Sequence, residues 1–551
     1  MNNQWKRRKI IDAKKKEVVK VAALSEELKE SIRMSAYLGK KGYTIPREVL
    51  GETELEFLHK DLFVKPVTIG PAYGAPGAQD EGAFPVYREN EKKIYIPRFY
   101  GIQRYGMPNR SEITSGDAIS VDFPKPLRDY QDKIVDVYMK HVAQPICSDS
   151  VQHGGGGILE VPCGRGKTVM GLKLISLLKK KTLIIVHKEF LMNQWIERAN
   201  EFLPGAKIGK IQGPIFDIEG KDLVIGMLQT LYDRALPENA FDSFGLTIVD
   251  EVHRIGSEQF SKTLLRVLSP NMLGISATVD RKDKLTDVLY MFIGPKIYTE
   301  QRESDDPVCV RAIEYISSDP QFNETEYDFR GKAKYSTMIS KLSDFGPRSD
   351  FIVRVLGDLI KESQSKETDA QIMVLCHNRS LLTYLYDAIR HRGFATVGYY
   401  VGGMKQVALQ ETEGKQIVLA TYAMAAEALD IKTLSILLMA SPKTDITQSV
   451  GRILRVRHDN PVVVDIVDRH DIFQNQWRQR KTFYRKCNYR ILSMDSVRYQ
   501  GMSLDWKTDK TWTKVFEPRG SAIHKNEDDC DHPSLQKKCL ISIKDLDIED
   551  N

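Results

Sequence analysis

The segment Leu159-Glu-Val-Pro-Cys-Gly-Arg-Gly-Lys-Thr168 has the residue types needed to hold a nucleoside triphosphate. An apolar strand runs into a glycine-containing loop whose backbone N–H groups can surround phosphate oxygens, and a helix begins where the loop ends. Lys167 is then placed to reach the β and γ phosphates, and the Thr168 hydroxyl to bind Mg²⁺. Val161 stands where the strict pattern has its first glycine, so the prediction depends on the strand-loop-helix context.

Two neighbouring carboxylates, Asp250 and Glu251, end the apolar stretch LTIVDEVH. A carboxylate at the carboxyl end of a parallel strand, beside a phosphate loop, is placed to bind Mg²⁺. A second carboxylate next to it can orient or deprotonate an attacking water. Acidic pairs are common at strand ends, but one that follows a phosphate loop predicts hydrolysis of the triphosphate rather than binding alone.

Further candidates flank this pair in the sequence. Gln131, in LRDYQ, has an amide that matches both the donor and the acceptor edges of adenine. Arg452 and Arg455 in QSVGRILR are three residues apart and share one helix face, where an anion would compensate their charge. Taken alone, LRDYQ is typical of an ordinary helix start, and QSVGRILR is typical of a solvated amphipathic helix.

Elements that would position these residues can be read from the hydrophobic pattern. From about residue 126, short β-branched strands alternate with helical stretches, which is typical of parallel sheets with crossover helices. The alternation pauses in polar sequence at 299–346 and then resumes, so we predict two tandem α/β domains. The predicted strands are Ile158–Val161, Thr182–Val186, Leu223–Gly226, Leu246–Val249, Met272–Ile275, Ile372–Cys376, Thr396–Val401, Gln416–Ala420, Ser435–Met439 and Pro461–Ile466.

Composition sets the broad class. The 551 residues are 28% charged and 42% hydrophobic, which excludes a mostly disordered chain. The net charge of +6 equals that of the first twenty residues, so the remainder is neutral and a histone-like polycation is excluded. No apolar run is long enough to span a bilayer, and no signal peptide is recognisable. Seven scattered cysteines favour reduced thiols, and the sequence predicts an intracellular protein without membrane partners.

The C-terminal flank leaves alternatives open. Residues 476–525 hold twelve basic and four acidic side chains among many aromatic ones, which suits either phosphate contacts with base stacking or an ordinary packed subdomain. Residues 526–551 carry a net charge of −5 and are expected to be a disordered acidic tail. Cys530, His532 and Cys539 lack a second ligand pair, so a solvated segment is favoured over a zinc site.

The motifs occur in the order found in the superfamily 2 helicases and translocases, which this chain resembles over about residues 121–475. LRDYQ is similar to the adenine-reading segment, CGRGKT to motif I, HKEFLMNQW to Ia, GMLQTL to Ib, DEVH to II and SAT to III. In the second half VLCHNRS is similar to motif IV, TYAMAAEALDI to V and QSVGRILR to VI. The detailed sequences of several segments resemble those of the XPB/Rad25 and phage UvsW-like branch. Others resemble the helicases of nucleocytoplasmic large DNA viruses, including the poxvirus transcript-release type.

This resemblance implies a fold and a set of site residues. The fold is α/β, with two tandem RecA-like parallel-sheet domains, an α+β N-terminal accessory domain and a C-terminal extension. Expected boundaries are 1–120 for the accessory domain, 121–300 and 346–475 for the RecA-like domains, 301–345 for a linker or insert, and 476–551 for the extension. The implied catalytic residues are Lys167, Asp250, Glu251, Gln448, Arg452 and Arg455. The implied nucleotide-binding residues are Arg128, Gln131, Cys163, Gly164, Arg165, Gly166, Lys167, Thr168 and Asp430, with Thr168 and Asp250 on the metal.

The resemblance also implies what the protein acts on. We expect a DNA helicase or duplex translocase that uses ATP and Mg²⁺ and binds DNA without sequence preference, in transcription or repair. Transcription machinery is a candidate partner, and a viral origin would place the protein in host cytoplasm or virion, with the nucleus as an alternative. Two other functions stay open: an RNA helicase, and an ATP-gated clamp or remodelling switch that does not unwind. His253 differs from the final Asp of DEAD-box RNA helicases, and Ala428 from the usual glycine of motif V.

Overall fold

A computed structural model describes most of the chain. The residues that it describes are 24–66, 82–147, 153–162, 164–254, 258–281, 285–300, 308–366, 370–427, 431, 433–453, 458, 461–501 and 511–518. They form one small mixed sheet and two large, mainly parallel sheets, together with a two-stranded ribbon. The predicted fold class, two α/β domains with an additional N-terminal domain, is confirmed.

The N-terminal region combines short strands and three helices, as an α+β accessory domain should. Its strands are β1 (Tyr37–Gly39), β2 (Gly42–Pro46), β3 (Phe63–Val64), β4 (Phe84–Pro85), β5 (Arg88–Glu89), β6 (Lys93–Ile96) and β7 (Arg110–Ser111). Its helices are α1 (Glu26–Ser35), α2 (Glu52–Asp61) and α3 (Arg98–Tyr105). The sheet order is β5-β6-β2-β1-β7, and β3 pairs with β4.

The accessory domain is fastened to the first large sheet. The guanidinium of Arg98 is buried and donates to the carbonyl oxygens of Ser269 (3.4 Å) and Pro270 (2.9 Å). Beside it, Phe99 lies so close to Gly156 that a Cβ there would come within 2.4 Å of the ring. The glycine run that precedes the phosphate loop therefore permits close packing between the two domains.

The first large sheet has the strand order β11-β10-β12-β9-β13-β14-β8-β15 and is parallel except for the edge strand β11. Its strands are β8 (Gly155–Glu160), β9 (Thr182–Val186), β10 (Ile208–Gln212), β11 (Ile215–Phe216), β12 (Leu223–Met227), β13 (Leu246–Asp250), β14 (Asn271–Ser276) and β15 (Lys296–Thr299). The helices are α4 (Asp129–Val142), α5 (Lys167–Leu178), α6 (Glu189–Phe202), α7 (Leu228–Asp233), α8 (Glu258–Leu264) and α9 (Thr286–Ile293). Central strands such as TLIIV are buried throughout because helices cover both faces.

The second large sheet has the order β18-β19-β17-β20-β21-β16-β22-β23 and is parallel except for the edge strand β23. Its strands are β16 (Cys309–Tyr315), β17 (Gln371–Cys376), β18 (Val397–Tyr400), β19 (Ile417–Thr421), β20 (Leu434–Met439), β21 (Val462–Asp468), β22 (Arg490–Asp495) and β23 (Thr513–Phe516). The helices are α10 (Pro320–Asn323), α11 (Tyr335–Asp344), α12 (Gly346–Ser365), α13 (Arg379–Arg392), α14 (Gln406–Glu413), α15 (Tyr422–Glu427), α16 (Thr447–Ile453) and α17 (Asp471–Lys486).

Residues 301–345 are not simply a linker, because strand β16 lies inside the second sheet between β21 and β22. The sequence CVRAIEY hides this strand, since charged side chains interrupt the apolar pattern that marks buried strands. Arg311 is nevertheless buried, because its guanidinium donates to both carboxylate oxygens of Glu362 on α12, at 2.6 and 2.9 Å. An ion pair with two hydrogen bonds makes burial of such a charge tolerable.

Residues 476–501 and 511–518 likewise belong to the second α/β unit rather than to a separate extension. Helix α17 packs on β21, and β22 and β23 complete the sheet. Tyr484, Tyr489, Tyr499 and Trp512 are buried, which matches the packed-subdomain alternative. Trp506 and the tail, including Cys530, His532 and Cys539, lie outside the described residues. Among the helices that the structure describes, none combines the length and hydrophobicity required to cross a membrane.

Candidate functional site

The phosphate loop joins β8 to α5, as the motif predicts. Gly164 (φ +83°) and Gly166 (φ +79°) adopt left-handed backbone conformations that most side chains avoid. A Cβ on Gly166 would lie 2.3 Å from the side-chain amide nitrogen of Gln131, so a larger residue would displace Gln131 as well as strain the backbone. Lys167 and Thr168 are the first two residues of α5, at the helix terminus that favours anions.

Helix α4 holds this loop from outside. Gln131 is buried; its Nε2 donates to the carbonyl oxygen of Arg165 at 3.0 Å, and its Oε1 accepts from the backbone N–H of Arg128 at 3.0 Å. Tyr130 lies with its ring 3.9 Å from the guanidinium of Arg165, which also pairs with Glu300. The residue expected to contact adenine thus braces the phosphate loop, and its adenine contact stays a prediction.

Lys167, Asp250 and Glu251 meet where β13 ends beside the phosphate loop. Lys167 Nζ donates to Glu251 Oε1 at 2.9 Å. Asp250 Oδ1 accepts from the N–H of Glu251 at 2.9 Å, and Oδ2 accepts from Trp195 Nε1 at 2.8 Å. Glu251 has a left-handed backbone (φ +51°), a strained conformation of the kind that clusters at active sites. The three residues that the motifs single out are therefore brought together.

Burial and mutual repulsion set the charges of the two acids. Burial and the neighbouring Glu251 carboxylate raise the pKa of Asp250 to about 6, although Lys167 and Trp195 partly oppose this. Burial also acts to raise the pKa of Glu251, but Lys167 and His253 outweigh it, so the pKa of Glu251 is lowered. The site therefore keeps Glu251 ionised and holds Asp250 in an environment that favours an added cation.

The donor set at this site fits Mg²⁺. Carboxylate and hydroxyl oxygens are the ligands that Mg²⁺ prefers, and Asp250 and Thr168 supply one of each. Glu251 Oε2 is buried without a hydrogen-bond partner among the described residues. His253 Nδ1 lies 3.3 Å from that oxygen but only 2.7 Å from the Ser276 hydroxyl, with which it forms its hydrogen bond. An acceptor oxygen therefore stays available for water or a metal-bound water.

Loops after neighbouring strands are tied together around the site. The Ser276 hydroxyl contacts His253 and donates to the carbonyl oxygen of Thr278 at 2.6 Å, so SAT touches DEVH directly. Glu160, at the end of β8, accepts from the backbone N–H of Val279 at 2.8 Å and from Lys296 Nζ at 3.0 Å. Sequence reasoning missed Glu160, because a single charge at a strand end carries no distinctive spacing.

Trp195 is the second residue that sequence reasoning missed. It lies in HKEFLMNQW on α6, is almost fully buried, and its indole N–H holds the carboxylate of Asp250. The available signal was its position with Leu191, Met192 and Ala199 on the buried face of the helix. A tryptophan on such a face must find an acceptor for its N–H, and a strand-end carboxylate is a natural one.

Five candidate residues, four from the second α/β unit and one from the phosphate loop, are only partly described or lie outside the description. Gln448 and Arg452 lie on α16, which follows β20, but their side chains fall outside the description. Arg455, Asp430 and Cys163 are outside the described residues altogether. The expected roles of these five residues therefore stay predictions.

Comparisons with known proteins agree with the motifs. Residues 124–281 match the family model described as the res subunit of type III restriction enzymes. A protein of Acanthamoeba polyphaga mimivirus, named as an ATP-dependent RNA helicase, is 32% identical over 459 residues, which cover 82% of this chain and 85% of its own. A protein of African swine fever virus with the same kind of name is 28% identical over 398 residues, covering 68% of this chain and 75% of its own.

Two further proteins are similar to this chain. The DNA 3'-5' translocase XPB2 of Sulfurisphaera tokodaii is 28% identical over 297 residues, which cover 52% of this chain and 61% of its own. The solved structure of T4 UvsW matches 81% of this chain and 96% of its own at 18% identity, with a TM-score of 0.31. That structural likeness is weak, and the sequence comparisons carry the relationship.

Proposed function

Since this chain belongs to the superfamily 2 helicases of the viral and XPB type, and is therefore an ATP-dependent helicase, we propose that its substrate is DNA. It would couple hydrolysis of ATP to movement along the duplex or a single strand. The observation that carries the catalytic part is the contact of Lys167, Glu251 and Asp250 beside a phosphate loop. The match to a DNA translocase, and the XPB- and UvsW-like motifs, support the choice of DNA.

The Lys167–Glu251 ion pair suggests what changes in the site when the nucleotide enters. With Lys167 bound to Glu251, the cation satisfies the carboxylate instead of a phosphate. An entering triphosphate offers Lys167 a stronger anionic partner, which releases Glu251 Oε1 to accept a proton from water. Mg²⁺, held by Thr168 and Asp250, would neutralise charge on the phosphates. The same lysine therefore links nucleotide entry to activation of the base.

Arginines from the second α/β unit would complete the site. We assign Arg452 and Arg455, with Gln448 close by, to the γ-phosphoryl group as the two units approach. Such arginines meet charge that develops in the transition state and are worth roughly 10³ to 10⁵ in rate. Closure with ATP and opening after hydrolysis would move one unit along the strand in each cycle.

Two substitutions test the site assignment. Lys167→Ala should abolish ATP hydrolysis while DNA binding persists, because the lysine contacts nucleotide and not DNA. Arg455→Ala should leave ATP affinity nearly intact and slow turnover. Full ATPase activity in the first variant, or an unchanged turnover rate in the second, would remove that residue from the proposed site.

The DNA assignment is tested by movement. A third strand bound to duplex DNA should be displaced when ATP is added, because a duplex translocase pushes it off. The Lys167→Ala protein is the control that should leave the triplex intact. Loss of the third strand without ATP, or no loss with wild-type protein that hydrolyses ATP, would contradict translocation on duplex DNA.

RNA is the second candidate substrate, since both viral relatives are named as RNA helicases. Phosphate contacts alone do not distinguish the two, because the sugar–phosphate backbones of DNA and RNA differ only at the 2′-hydroxyl. An ATP-gated clamp is disfavoured by Glu251, whose ionised state beside Lys167 suits turnover rather than a passive switch.

A further inference from the structure

A small hairpin before α11 presents an aromatic ring to solvent. Residues 326–334, which we call the pin, join α10 to α11 as two short antiparallel arms, bridged at Tyr327 and Ala333. Phe329 stands at its tip with 88% of the side chain exposed, more than any other large hydrophobic residue described. Such exposure has no folding rationale, so it suggests a contact made with another molecule.

The tip is held rigidly, which distinguishes it from a loose loop. The N–H of Asp328 donates to the carbonyl oxygen of Lys332 at 2.7 Å, and that of Gly331 to Asp328 at 3.0 Å. The Asp328 carboxylate accepts from the N–H groups of Arg330 and Lys332, both at 2.9 Å. Gly331 has the left-handed backbone (φ +73°) that closes the turn. The backbone that carries Phe329 is therefore held in a defined turn.

The pin carries three cations and two carboxylates, and its cations lie together on the second arm, where they can meet a polyanion. Arg330, Lys332 and Lys334 alternate along the second arm and are exposed. The guanidinium of Arg330 lies 4.9 Å from the ring centroid of Phe329. Asp328 is engaged within the turn, and Glu326 lies 4.0 Å from Lys341. An aromatic ring beside cations is the combination that stacks on nucleic-acid bases and follows their phosphates.

The base of the pin sits at the carboxyl edge of the second sheet. Tyr335, which begins α11, donates its hydroxyl proton to the carbonyl oxygen of Pro442 at 3.3 Å and packs edge-on against His377. Asn378 donates to the Ser340 hydroxyl at 3.3 Å. His377 and Asn378 belong to VLCHNRS, which is similar to motif IV, and the resemblance implies that this motif contacts the nucleic-acid backbone. The pin thus rises from the edge of the sheet that carries this motif.

We propose that Phe329 stacks on a base at the junction between duplex and single strand, while the basic arm contacts phosphates. This inference rests on the proposed function, since it presumes that nucleic acid passes the second sheet. In this role the pin keeps separated strands apart as the motor advances. Apolar side chains inserted between base steps in other proteins show that such a contact can unstack neighbouring bases. It takes no part in ATP hydrolysis.

The test separates strand separation from ATP hydrolysis in the full-length protein. Phe329→Ala should unwind forked DNA at least about tenfold more slowly, because truncating an aromatic that stacks on a base weakens binding roughly five- to more than a hundredfold. Its ATPase activity at saturating single-stranded DNA should stay within about twofold of wild type, because the ring takes no part in hydrolysis. Phe329→Trp should restore unwinding. Val497→Ala, at a residue 74% exposed outside the pin, is the matched control and should have no effect.

A photocrosslink gives a direct readout. With 5-iodouracil at the fork junction, irradiation should join the DNA to the peptide that contains Phe329, and Phe329→Ala should lose that product. If Phe329→Ala unwinds DNA at the wild-type rate, or if the DNA crosslinks only to other peptides, the proposed role of the pin is refuted and the proposed function still stands. The exposed ring would then point to a contact with another protein. An ATPase that no nucleic acid stimulates refutes the proposed function, and the pin with it.

Discussion

Replacing Trp195 with phenylalanine should weaken Mg²⁺ binding, although the side chain is not itself a metal ligand. The indole N–H donates at 2.8 Å to Oδ2 of Asp250, the proposed metal ligand. Phenylalanine keeps most of the buried apolar surface and removes this donor. Among the described residues, the remaining donor to Asp250 is the backbone N–H of Glu251, which binds the other oxygen. Oδ2 would then be free to rotate away from the metal position.

The loss of Mg²⁺ affinity can be estimated from the Trp195–Asp250 hydrogen bond and from the pKa of Asp250. A hydrogen bond to a charged group contributes about 1.5–3 kcal/mol, which corresponds to about 10- to 150-fold in an equilibrium constant. Loss of the bond also raises the pKa of Asp250 further above about 6, because Trp195 stabilises the charged form. Protons then compete with Mg²⁺ at higher pH. We expect about tenfold weaker Mg²⁺ binding at pH 8, and a larger loss at pH 6.5.

The assay is a Mg²⁺ titration of ATPase activity at both pH values, with thermal unfolding measured in parallel. Trp512→Phe is the matched control, since Trp512 is also buried but packs in the second α/β unit. Its Mg²⁺ dependence should match that of the wild type. The positioning role of Trp195 is refuted if Trp195→Phe shows wild-type Mg²⁺ dependence at both pH values. It is also refuted if the loss of activity equals the fraction of protein that is unfolded.

Three further predictions concern charge in the two units. Glu251→Gln should bind ATP but hydrolyse it at least about 100-fold more slowly, because the base is lost; single-turnover hydrolysis near the wild-type rate would contradict this. Because the pKa of Asp250 in the folded protein (about 6) exceeds the usual 3.8, its ionisation destabilises the metal-free protein as pH rises through 6 and has no such effect below about 4. Urea unfolding should therefore show Asp250→Asn gaining about 1–3 kcal/mol on wild type between pH 4 and pH 8, and an unchanged difference would refute the raised pKa. Arg480→Met should cost about 3–5 kcal/mol of stability without lowering the DNA affinity of folded protein, because Arg480 is buried against Asp465 at 2.7 Å; weaker DNA binding at unchanged stability would return it to the nucleic-acid surface.

Where the sequence predicted well, local pattern and global fold agree. Each predicted strand of the two sheets is present. Apolar runs such as TLIIV and QIMVLC form strands because a parallel sheet buries them on both faces. Lys167, Asp250 and Glu251 meet for the same reason. Carboxyl ends of neighbouring parallel strands share an edge, so the order of motifs along the chain fixes their neighbourhood in space.

Where it failed, long-range pairing decided the outcome. Strand β16 is invisible in the sequence because the partner that neutralises Arg311 lies on α12. For 476–525 the sequence left a nucleic-acid surface and a packed subdomain equally open, and the burial of Arg480 against Asp465 favours packing at that position. Trp195 gained its role from a carboxylate 55 residues away. Each of these contacts joins distant segments, and no local spacing encodes it.

Stimulation of ATPase activity by nucleic acid tests most directly whether ATP drives this chain as a motor on DNA. Hydrolysis should be measured with single-stranded DNA, duplex DNA and RNA side by side, with Lys167→Ala as the background. We predict strong stimulation by one or both DNA forms and weaker stimulation by RNA. Stimulation by RNA alone would contradict the DNA assignment, and an ATPase indifferent to all three would contradict the motor itself.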